Sequence, residues 1–293
     1  MRYMVGDGAN GAAVYLVSGT QATNLTSLDP AVGHDLMPMI SGAVDIDAIL
    51  ARAGDAPAEP LESIIPLLPI DQPGKVICLG LNYVDHIKEG GYEVPTYPAL
   101  FMRSRTSLIP AGAPMIRPTC SERLDYEAEL MLIIGKGGKH IPEDAALSHV
   151  FGYTIFNDGS VRDYQRKTHQ WTPGKNFDAT GPIGPVVVTP DELPDGAQGL
   201  KIESRVGDEI LQSATTSDML WTVPRTIATI SEYTTLQAGD MIAMGTPPGV
   251  GHAKTPPRWL RPGEVVEIEI EGIGICANPI VAEEAISTPE AAE

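Results

Sequence analysis

The amino-acid sequence predicts an α+β protein in which strands predominate. Its 293 residues include 30 glycines and 26 prolines, a content that favours many turns between short segments. Several of these segments are β-branched runs of strand length, among them 186–188 and 265–270. Helical periodicity is found only in short stretches. We therefore expect short strands joined by tight turns, with few helices.

The same pattern divides the chain into two domains and a tail. Residues 1–72 alternate short apolar runs with turns and contain a predicted helix near 44–53, which is typical of a small N-terminal α+β domain. A turn-forming segment around Pro73 interrupts the pattern, and a strand-like run then opens a larger domain over 73–282. Residues 283–293 have no apolar periodicity, and we expect them to be disordered.

Charge and hydropathy exclude several classes of partner. The net charge of −18 opposes binding to nucleic acid or to anionic membranes. No apolar run approaches the roughly 20 residues of a membrane helix, and the first residues lack the form of a signal peptide, so we expect a cytoplasmic protein. Residues 101–175 contain ten Lys or Arg and eight Asp or Glu. This region is therefore the one that would tolerate a small anionic molecule.

The cysteines and most of the histidines lack the spacing of a disulfide framework or a zinc site. The cysteines are three in number and scattered, and we expect them to be buried as small hydrophobic residues: Cys78, Cys120 and Cys276. The histidines without ligand spacing are interpreted as structural or surface residues: His34, His140, His149, His169 and His252.

Three acidic residues form a candidate metal site. Glu127 and Glu129 alternate with apolar residues in a predicted strand, so both side chains point to one face. Two like charges on one face need solvent, a proton or a cation to compensate them. Asp158 ends another apolar run. Three oxygen donors suit a hard cation such as Mg²⁺, with Mn²⁺ or Ca²⁺ as substitutes. The alternative is that the two glutamates only face solvent.

Five motifs follow one another along the larger domain: NYVDHIKE at 82–89, DYEAEL at 125–130, NDGSVRDYQ at 157–165, GKNFD at 174–178 and GTPPG at 245–249. In this order and spacing they resemble the fumarylacetoacetate hydrolase superfamily over about 73–282. The resemblance implies a mixed β-roll catalytic domain that forms a homodimer. It also implies that Glu127, Glu129 and Asp158 bind the metal ion.

His86 and Glu89 form a candidate catalytic pair. They are three residues apart in a predicted helical turn, so their side chains share a face. A carboxylate beside an imidazole can orient the ring, and histidine exchanges protons near neutral pH. The pair therefore predicts a general base that activates water. The alternative is a surface pair without a catalytic role.

A second candidate group follows Asp158. If that residue opens a helix, Arg162 and Gln165 lie on the same stripe and point toward the metal site. A guanidinium there could bind a substrate carboxylate through two hydrogen bonds, and an amide could hold a carbonyl or hydroxyl group. Position alone leaves open that Arg162 instead pairs with an acidic residue of the helix.

The resemblance adds three further site residues. It implies that Lys175 is a catalytic group that neutralises developing oxyanion charge. It also implies that Thr246, in a glycine- and proline-rich loop, binds the substrate by a hydrogen bond. Arg103 stands where many members of the family have lysine, which keeps the positive charge and alters the geometry of substrate binding.

These observations lead to one hypothesis of function and two alternatives. We expect a Mg²⁺-dependent hydrolase that cleaves a carbon–carbon bond in a 2,4-diketo acid, giving pyruvate or a related 2-keto acid and a carboxylic acid. The first alternative keeps the metal site but changes the reaction to decarboxylation or keto–enol isomerisation of a 2-keto acid. The second is a metal-binding module without catalytic activity, which has no need of the histidine–glutamate pair.

Overall fold

Strands predominate over helices, as the sequence predicts. The computed structural model describes residues 1–91 and 93–284, and 35% of the chain is strand against 24% helix. The α+β class is therefore confirmed. Most of the predicted disordered tail, from residue 285 onward, lies outside the described residues.

Twenty strands are found in the part of the chain that the structure describes: β1 (Arg2–Gly8), β2 (Gly11–Ser18), β3 (Gln21–Asn24), β4 (Ala58–Pro60), β5 (Ile65–Pro66), β6 (Val76–Gly80), β7 (Ala99–Met102), β8 (Leu108–Pro110), β9 (Met115–Arg117), β10 (Leu124–Asp125), β11 (Ala128–Ile134), β12 (Val150–Asn157), β13 (Ser160–Val161), β14 (Gly181–Ile183), β15 (Val186–Val188), β16 (Lys201–Val206), β17 (Glu209–Thr215), β18 (Met241–Ala243), β19 (Val265–Ile270) and β20 (Gly274–Ala282). The two β-branched runs predicted to be strands form β15 and β19.

The α-helices of the described residues are short: α1 (Leu25–Leu28), α2 (Met37–Ile40), α3 (Ile46–Ala53), α4 (Val84–Glu89), α5 (Arg162–Gln165), α6 (Thr172–Lys175) and α7 (Val223–Tyr233). The helix predicted near 44–53 is α3. It begins after Asp45, whose carboxylate accepts a hydrogen bond from the backbone N–H of Ala48 and so satisfies one of the free donors of the first turn.

The largest sheet runs through both predicted domains. Its strand order is β4-β3-β2-β1-β15-β12-β11-β18-β6-β7, and most of its neighbours are antiparallel. The antiparallel pairing of β1 with β15 places Tyr3 opposite Val187, so backbone hydrogen bonds cross the boundary predicted near Pro73. The division into two domains stays a prediction, and the structure adds that both parts share one sheet. A second sheet has the order β17-β16-β19-β20-β9.

Strands β11 and β12 are the centre of the largest sheet and position the acidic residues. Every residue of β11 is buried, which fits its nearly continuous apolar sequence. Its antiparallel register with β12 places Ala128 opposite Asn157. The start of β11 therefore meets the end of β12, and the backbone N–H of Asp158 donates to the carbonyl of Glu127 over 3.0 Å. Glu127 and Asp158, 31 positions apart in sequence, become neighbours through this one pairing.

Two expectations from the sequence are wrong. Asp158 does not open a helix, because Ser160 and Val161 pair with β10 in an extended conformation, and α5 begins only at Arg162. Cys120 is exposed, since it lies in a turn rather than in a strand, whereas the other two cysteines are buried as expected. None of the helices in the described residues combines the length and the apolar character that crossing a membrane requires.

A substitution at Gly159 tests how tightly the junction of β11 and β12 is packed. A Cβ atom at this position would lie 2.1 Å from the carbonyl oxygen of Thr180 and 2.2 Å from Cε of Met115. We expect Gly159→Ala to lower the free energy of unfolding by about 1–3 kcal/mol, because the strand end must move to relieve the overlap. The control is Gly54→Ala, where the added Cβ meets no atom within 4 Å. Urea unfolding measures both; equal midpoints would contradict the tight junction.

Candidate active site

Three carboxylates meet at the junction of β11 and β12. One oxygen from each of Glu127, Glu129 and Asp158 lies within 4.8 Å of the others, and all three residues are buried. The two glutamates flank the first residue of β11, so the alternation of the strand directs both side chains to the same face. Asp158 follows the last residue of the neighbouring strand. The pairing of two strands thus builds the whole cluster.

Lys175 neutralises two of the three carboxylates. It is the last residue of α6, and its Nζ lies 2.7 Å from Oε2 of Glu127 and 2.6 Å from Oδ2 of Asp158. Burial alone would lower the pKa of this ammonium group, but Asp158 and Glu127 outweigh burial and raise it above the usual value. Lys175 is therefore both buried and positively charged.

Glu127 and Glu129 have opposite electrostatic environments. Burial disfavours the charge of Glu127, but Lys175 and then Arg162 hold the pKa of its carboxyl group below the usual range. For Glu129, burial and then repulsion from Asp158 and Glu127 raise the pKa well above the usual value. Its hydrogen bond from the backbone N–H of Gly245, at 3.0 Å, only partly compensates. The carboxyl group of Glu129 is thus left without a full countercharge.

This donor set fits a hard divalent cation. Such ions prefer carboxylate oxygens and bind several of them at once. All the donors that converge here are oxygens, and the poorly compensated carboxylate of Glu129 would gain the countercharge that Lys175 does not supply. The residues present therefore fit a metal site, and the cluster does not by itself select Mg²⁺ over Mn²⁺ or Ca²⁺.

Arg162 is held by other side chains of the site. Its Nε donates to Oδ2 of Asp125 over 2.7 Å, its Nη2 lies 2.7 Å from Oε1 of Glu127, and its Nη1 donates to the amide oxygen of Gln165 over 2.9 Å. All three nitrogens of the guanidinium thus contact protein oxygens. Burial raises the pKa of Asp125, but the charge of Arg162 outweighs burial and brings it below the usual value. Arg162 therefore lies beside the site as predicted, with a buried aspartate rather than a helix acid as its partner.

Arg103 lies behind Asp158 rather than on the cavity. Its Nη1 donates to Oδ1 of that carboxylate, its Nη2 donates to Thr180 over 2.7 Å, and its Nε donates to Ser107 over 3.1 Å. The guanidinium is fully buried. In this structure the residue fixes the orientation of an acidic residue and is separated from the space that a substrate would enter.

His86 and Glu89 form the predicted pair on α4. Nδ1 of His86 lies 3.4 Å from Oε2 of Glu89, and the carboxylate also accepts the backbone N–H of Gly249 over 3.1 Å. Burial opposes ionisation of Glu89, but the hydrogen bonds from His86 and from Gly249 outweigh it and lower the pKa of the carboxyl group. An ionised Glu89 can hold the imidazole so that Nε2 is the free ring nitrogen.

A network of hydrogen bonds orients the hydroxyl group of Thr246. The amide oxygen of Gln212 accepts from Ser204 and from the backbone N–H of Ala128, so its Nε2 must donate, and it does so to Oγ1 of Thr246 over 2.8 Å. Because the hydroxyl oxygen accepts this bond, its own proton is free to be donated to another group. The hydroxyl group lines the cavity.

Seven of the ten predicted site residues line one cavity of about 50 Å³: His86, Glu127, Glu129, Arg162, Gln165, Lys175 and Thr246. The other three, Glu89, Arg103 and Asp158, lie directly behind residues of this group. The predicted residues therefore come together, although they are spread over 161 positions of sequence, from 86 to 246 counted inclusively.

Sequence reasoning missed three residues of the site. His252, which the sequence suggested to be structural, lines the same cavity, and its Nδ1 lies 3.4 Å from Oδ2 of Asp125. Asp125 itself accepts the backbone N–H groups of Gly251 and His252 as well as Arg162. Gln212 orients Thr246. The signal that was available for Asp125 was its place inside the DYEAEL motif, whereas nothing local marks the other two.

Comparison with known proteins agrees with this geometry. A family model described as fumarylacetoacetate (FAA) hydrolase C-terminal matches residues 75–281. Oxaloacetate tautomerase FAHD2A, a mitochondrial protein of Homo sapiens, is 37% identical over 268 residues, which are 90% of this chain and 85% of that protein. Among solved structures, fumarylacetoacetate hydrolase from psychrophilic Exiguobacterium antarcticum has 34% identity and a TM-score of 0.83. Maleylpyruvate hydrolase from Sphingobium sp. SYK-6 has 28% identity and a TM-score of 0.79. Each alignment covers 97% of this chain and 100% of the solved chain.

The raised pKa of Glu129 predicts how stability depends on pH in the absence of metal ions. A carboxyl group whose pKa is raised on folding stabilises the protein fully below its unfolded value, here 4.5, and this stability is lost as the pH rises through the folded value. We expect Glu129→Gln to lose less stability than the wild type between about pH 5 and pH 8 in a chelator. Urea unfolding at several pH values measures the difference.

The wild type and the Glu129→Gln variant also test the metal site. Mg²⁺ should raise the unfolding midpoint of the wild type, because an ion that binds only the folded state stabilises it. It should raise that of Glu129→Gln much less, since one anionic ligand is gone. Parallel pH curves together with equal Mg²⁺ responses would show that this carboxylate is neither strained by repulsion nor a ligand.

Proposed function

This chain belongs to the fumarylacetoacetate hydrolase superfamily, and from that premise we propose that it interconverts the keto and enol forms of a small 2-oxo acid with the help of a divalent cation. One observation carries the proposal. A histidine with a carboxylate partner and two members of a buried set of three carboxylates, Glu127 and Glu129, border the same small cavity. Proton transfer at carbon needs such a base beside a group that stabilises the enolate.

The charges of the cluster favour an anionic substrate. With every group ionised, four buried carboxylates (Asp125, Glu127, Glu129 and Asp158) stand against three buried cations (Arg103, Arg162 and Lys175), which leaves −4 + 3 = −1. A divalent cation would change this sum to −1 + 2 = +1. A single substrate carboxylate would then bring the sum to zero. Because buried charges are stable only when they are compensated, a 2-oxo carboxylate is a suitable occupant.

Glu127, Glu129 and Asp158 would hold the cation. The chemistry that a bound divalent cation supplies is Lewis acidity toward the 2-oxo oxygen, which favours loss of a proton from the adjacent carbon. Lys175 and Arg103 hold the carboxylate of Asp158 in place through ion pairs. Arg162 does the same for Glu127.

His86 is the proposed base. Its Nε2 takes the proton from the carbon beside the 2-oxo group, and the ionised Glu89 stabilises the imidazolium through Nδ1. The enolate oxygen takes a proton from solvent to complete the enol, and the imidazolium releases its own proton to solvent. In the reverse direction the enol oxygen loses its proton to solvent and the same nitrogen delivers one to that carbon. Thr246 donates its free hydroxyl proton to a carboxylate or enolate oxygen of the substrate, and Gln165 offers its amide nitrogen on the same cavity. These roles make no use of an attacking water molecule.

Hydrolysis of a 2,4-diketo acid is the second candidate. The His86–Glu89 pair favours it too, because a base positioned beside the cavity can activate water as well as remove a carbon-bound proton. The solved structure of maleylpyruvate hydrolase lends it support. We prefer keto–enol interconversion because the tautomerase is 37% identical to this chain, against 28% for maleylpyruvate hydrolase. Decarboxylation of the same 2-oxo acids requires the same enolate and is a third outcome of the assay.

The deciding experiment follows a substrate that can undergo more than one of these reactions. With oxaloacetate and Mg²⁺ we expect rapid loss of the ultraviolet absorbance of the enol and rapid exchange of the C3 protons for deuterium in heavy water. Pyruvate, measured with lactate dehydrogenase, should form no faster than without protein. A panel of acylpyruvates is screened in parallel by mass spectrometry. Cleavage of an acylpyruvate without catalysis of exchange would replace our proposal with the hydrolase.

A double-mutant cycle tests the base. We expect His86→Ala to slow deuterium exchange by roughly 10²–10⁴-fold while Mg²⁺ binding is retained, because a positioned base contributes about this much. Glu89→Gln should act in the same direction. The double variant should be little slower than His86→Ala, since groups that act as one unit are not additive. Additive losses would contradict a coupled pair, and near-normal exchange by His86→Ala would place the base elsewhere.

The homodimer that the resemblance implies remains a proposal. Sedimentation of the full chain with and without Mg²⁺ tests it, and a single species with the mass of one chain, 31.2 kDa, would contradict it. Nucleic acid and anionic membranes are not expected as partners, because the net charge is −18.

A further inference from the structure

A second cavity adjoins the candidate active site. It has a volume of about 460 Å³, and its walls include Arg123, Arg162, Arg166, His252 and Trp259. Arg162, Arg166 and His252 also line the cavity with the carboxylate cluster. These three side chains therefore stand between the two spaces. We call the second cavity the basic annex.

The inner cavity is too small for a whole 2-oxo acid. The inner cavity has about 50 Å³, whereas one water molecule occupies about 30 Å³ in the liquid. A 2-oxo acid with a further functional group is several times larger than a water molecule. If its 2-oxo carboxylate end occupies the inner cavity, the rest of the molecule must extend out of that cavity, and one way out leads past the shared side chains. The annex is the adjoining space that those side chains open onto.

Two arginines of the annex carry charge that the described residues do not neutralise. Neither Arg123 nor Arg166 lies within 4.0 Å of a carboxylate oxygen in the part of the chain that the structure describes, and both are exposed. Arg162, by contrast, is held by Asp125 and Glu127. The one carboxylate on the annex wall, Asp163, accepts the hydroxyl proton of Ser121 over 2.7 Å.

Backbone hydrogen bonds fix the two arginines relative to the site. The N–H of Arg162 donates to the carbonyl of Arg123 over 3.1 Å, and the N–H of Arg166 donates to the carbonyl of Arg162 over 3.2 Å. His252 is tied to the same group, because its N–H donates to Asp125, the partner of Arg162. In a chain with a net charge of −18, two free guanidinium groups beside an active site are a local attraction for an anion.

We propose that the basic annex binds the distal carboxylate of a dicarboxylic 2-oxo acid, with Arg166 as the main specificity-determining residue and Arg123 as its support. This inference rests on the proposed function and assigns the residues that recognise the distal end of its substrate. Arg166 is the unpaired cation that lines both cavities, so it is placed where a substrate would pass from one to the other. A guanidinium binds a carboxylate through two parallel hydrogen bonds, which a neutral distal group cannot make.

The test compares two substrates that differ only at the distal end. Oxaloacetate has a carboxylate there, and 2-oxobutanoate has a methyl group. For Arg166→Gln we expect the KM of oxaloacetate in C3 deuterium exchange to rise about tenfold or more, with little change in kcat, because a charge-assisted hydrogen bond is lost. Exchange of 2-oxobutanoate should not change. The matched control is Lys167→Gln, which removes a neighbouring exposed charge that lines neither cavity.

A binding measurement separates this inference from the proposed function. Malate and 2-hydroxybutanoate have the same two distal ends but no enolisable ketone, so calorimetry of the Mg²⁺-loaded protein measures their affinity without turnover. We expect the wild type and Lys167→Gln to prefer malate, and Arg166→Gln to lose that preference. If the preference is lost but wild-type protein fails to catalyse exchange, the proposed function is wrong and the annex stands. Equal preference in all three proteins overturns the annex.

Discussion

Neutralisation of buried carboxylates is the constraint on which the site depends. The pairing of β11 with β12 brings Glu127, Glu129 and Asp158 into a space from which water is largely excluded, and such charges are costly unless each has a partner. Lys175, Arg162 and Arg103 are the partners of Glu127 and Asp158, and each is supplied by a different segment of the chain. The short helices α5 and α6 and the turn after β7 are therefore held against the sheet by the charges that they deliver.

The strand-rich fold and the acidic cluster were both accessible from sequence. Strand alternation is a local property, so the side chains of Glu127 and Glu129 can be assigned to one face from the residues between them. The place of Asp158 at the end of an apolar run and the three-residue spacing of His86 and Glu89 are local signals too, whereas Lys175 was added only by the family resemblance. The two β-branched runs at 186–188 and 265–270 were strands for the same local reason.

The contacts that the sequence did not reveal join residues that are far apart along the chain. Arg162 has Asp125 as its partner, 37 residues away, and His252 approaches the same aspartate from 127 residues away. No periodicity relates such positions, because β10 and β13 must pair before they are neighbours. That pairing also explains the wrong helix at Asp158: a local pattern suited to a helix was overridden by a two-residue bridge to another strand. Predictions about Arg103 had the same weakness, since its charge was evident but its place behind Asp158 was not.

The position of Lys175 has a consequence for the protein before any ion arrives. Its ammonium group already bridges two of the three carboxylates, so the cluster is assembled and largely neutral without a metal. Many small metal-binding domains are unfolded until the ion binds, because nothing else compensates the charges of the ligands. Here the ammonium group of Lys175, which belongs to the chain itself, compensates two of the ligands. Folding therefore does not require the ion, and an ion that binds would find its ligands already assembled around Lys175.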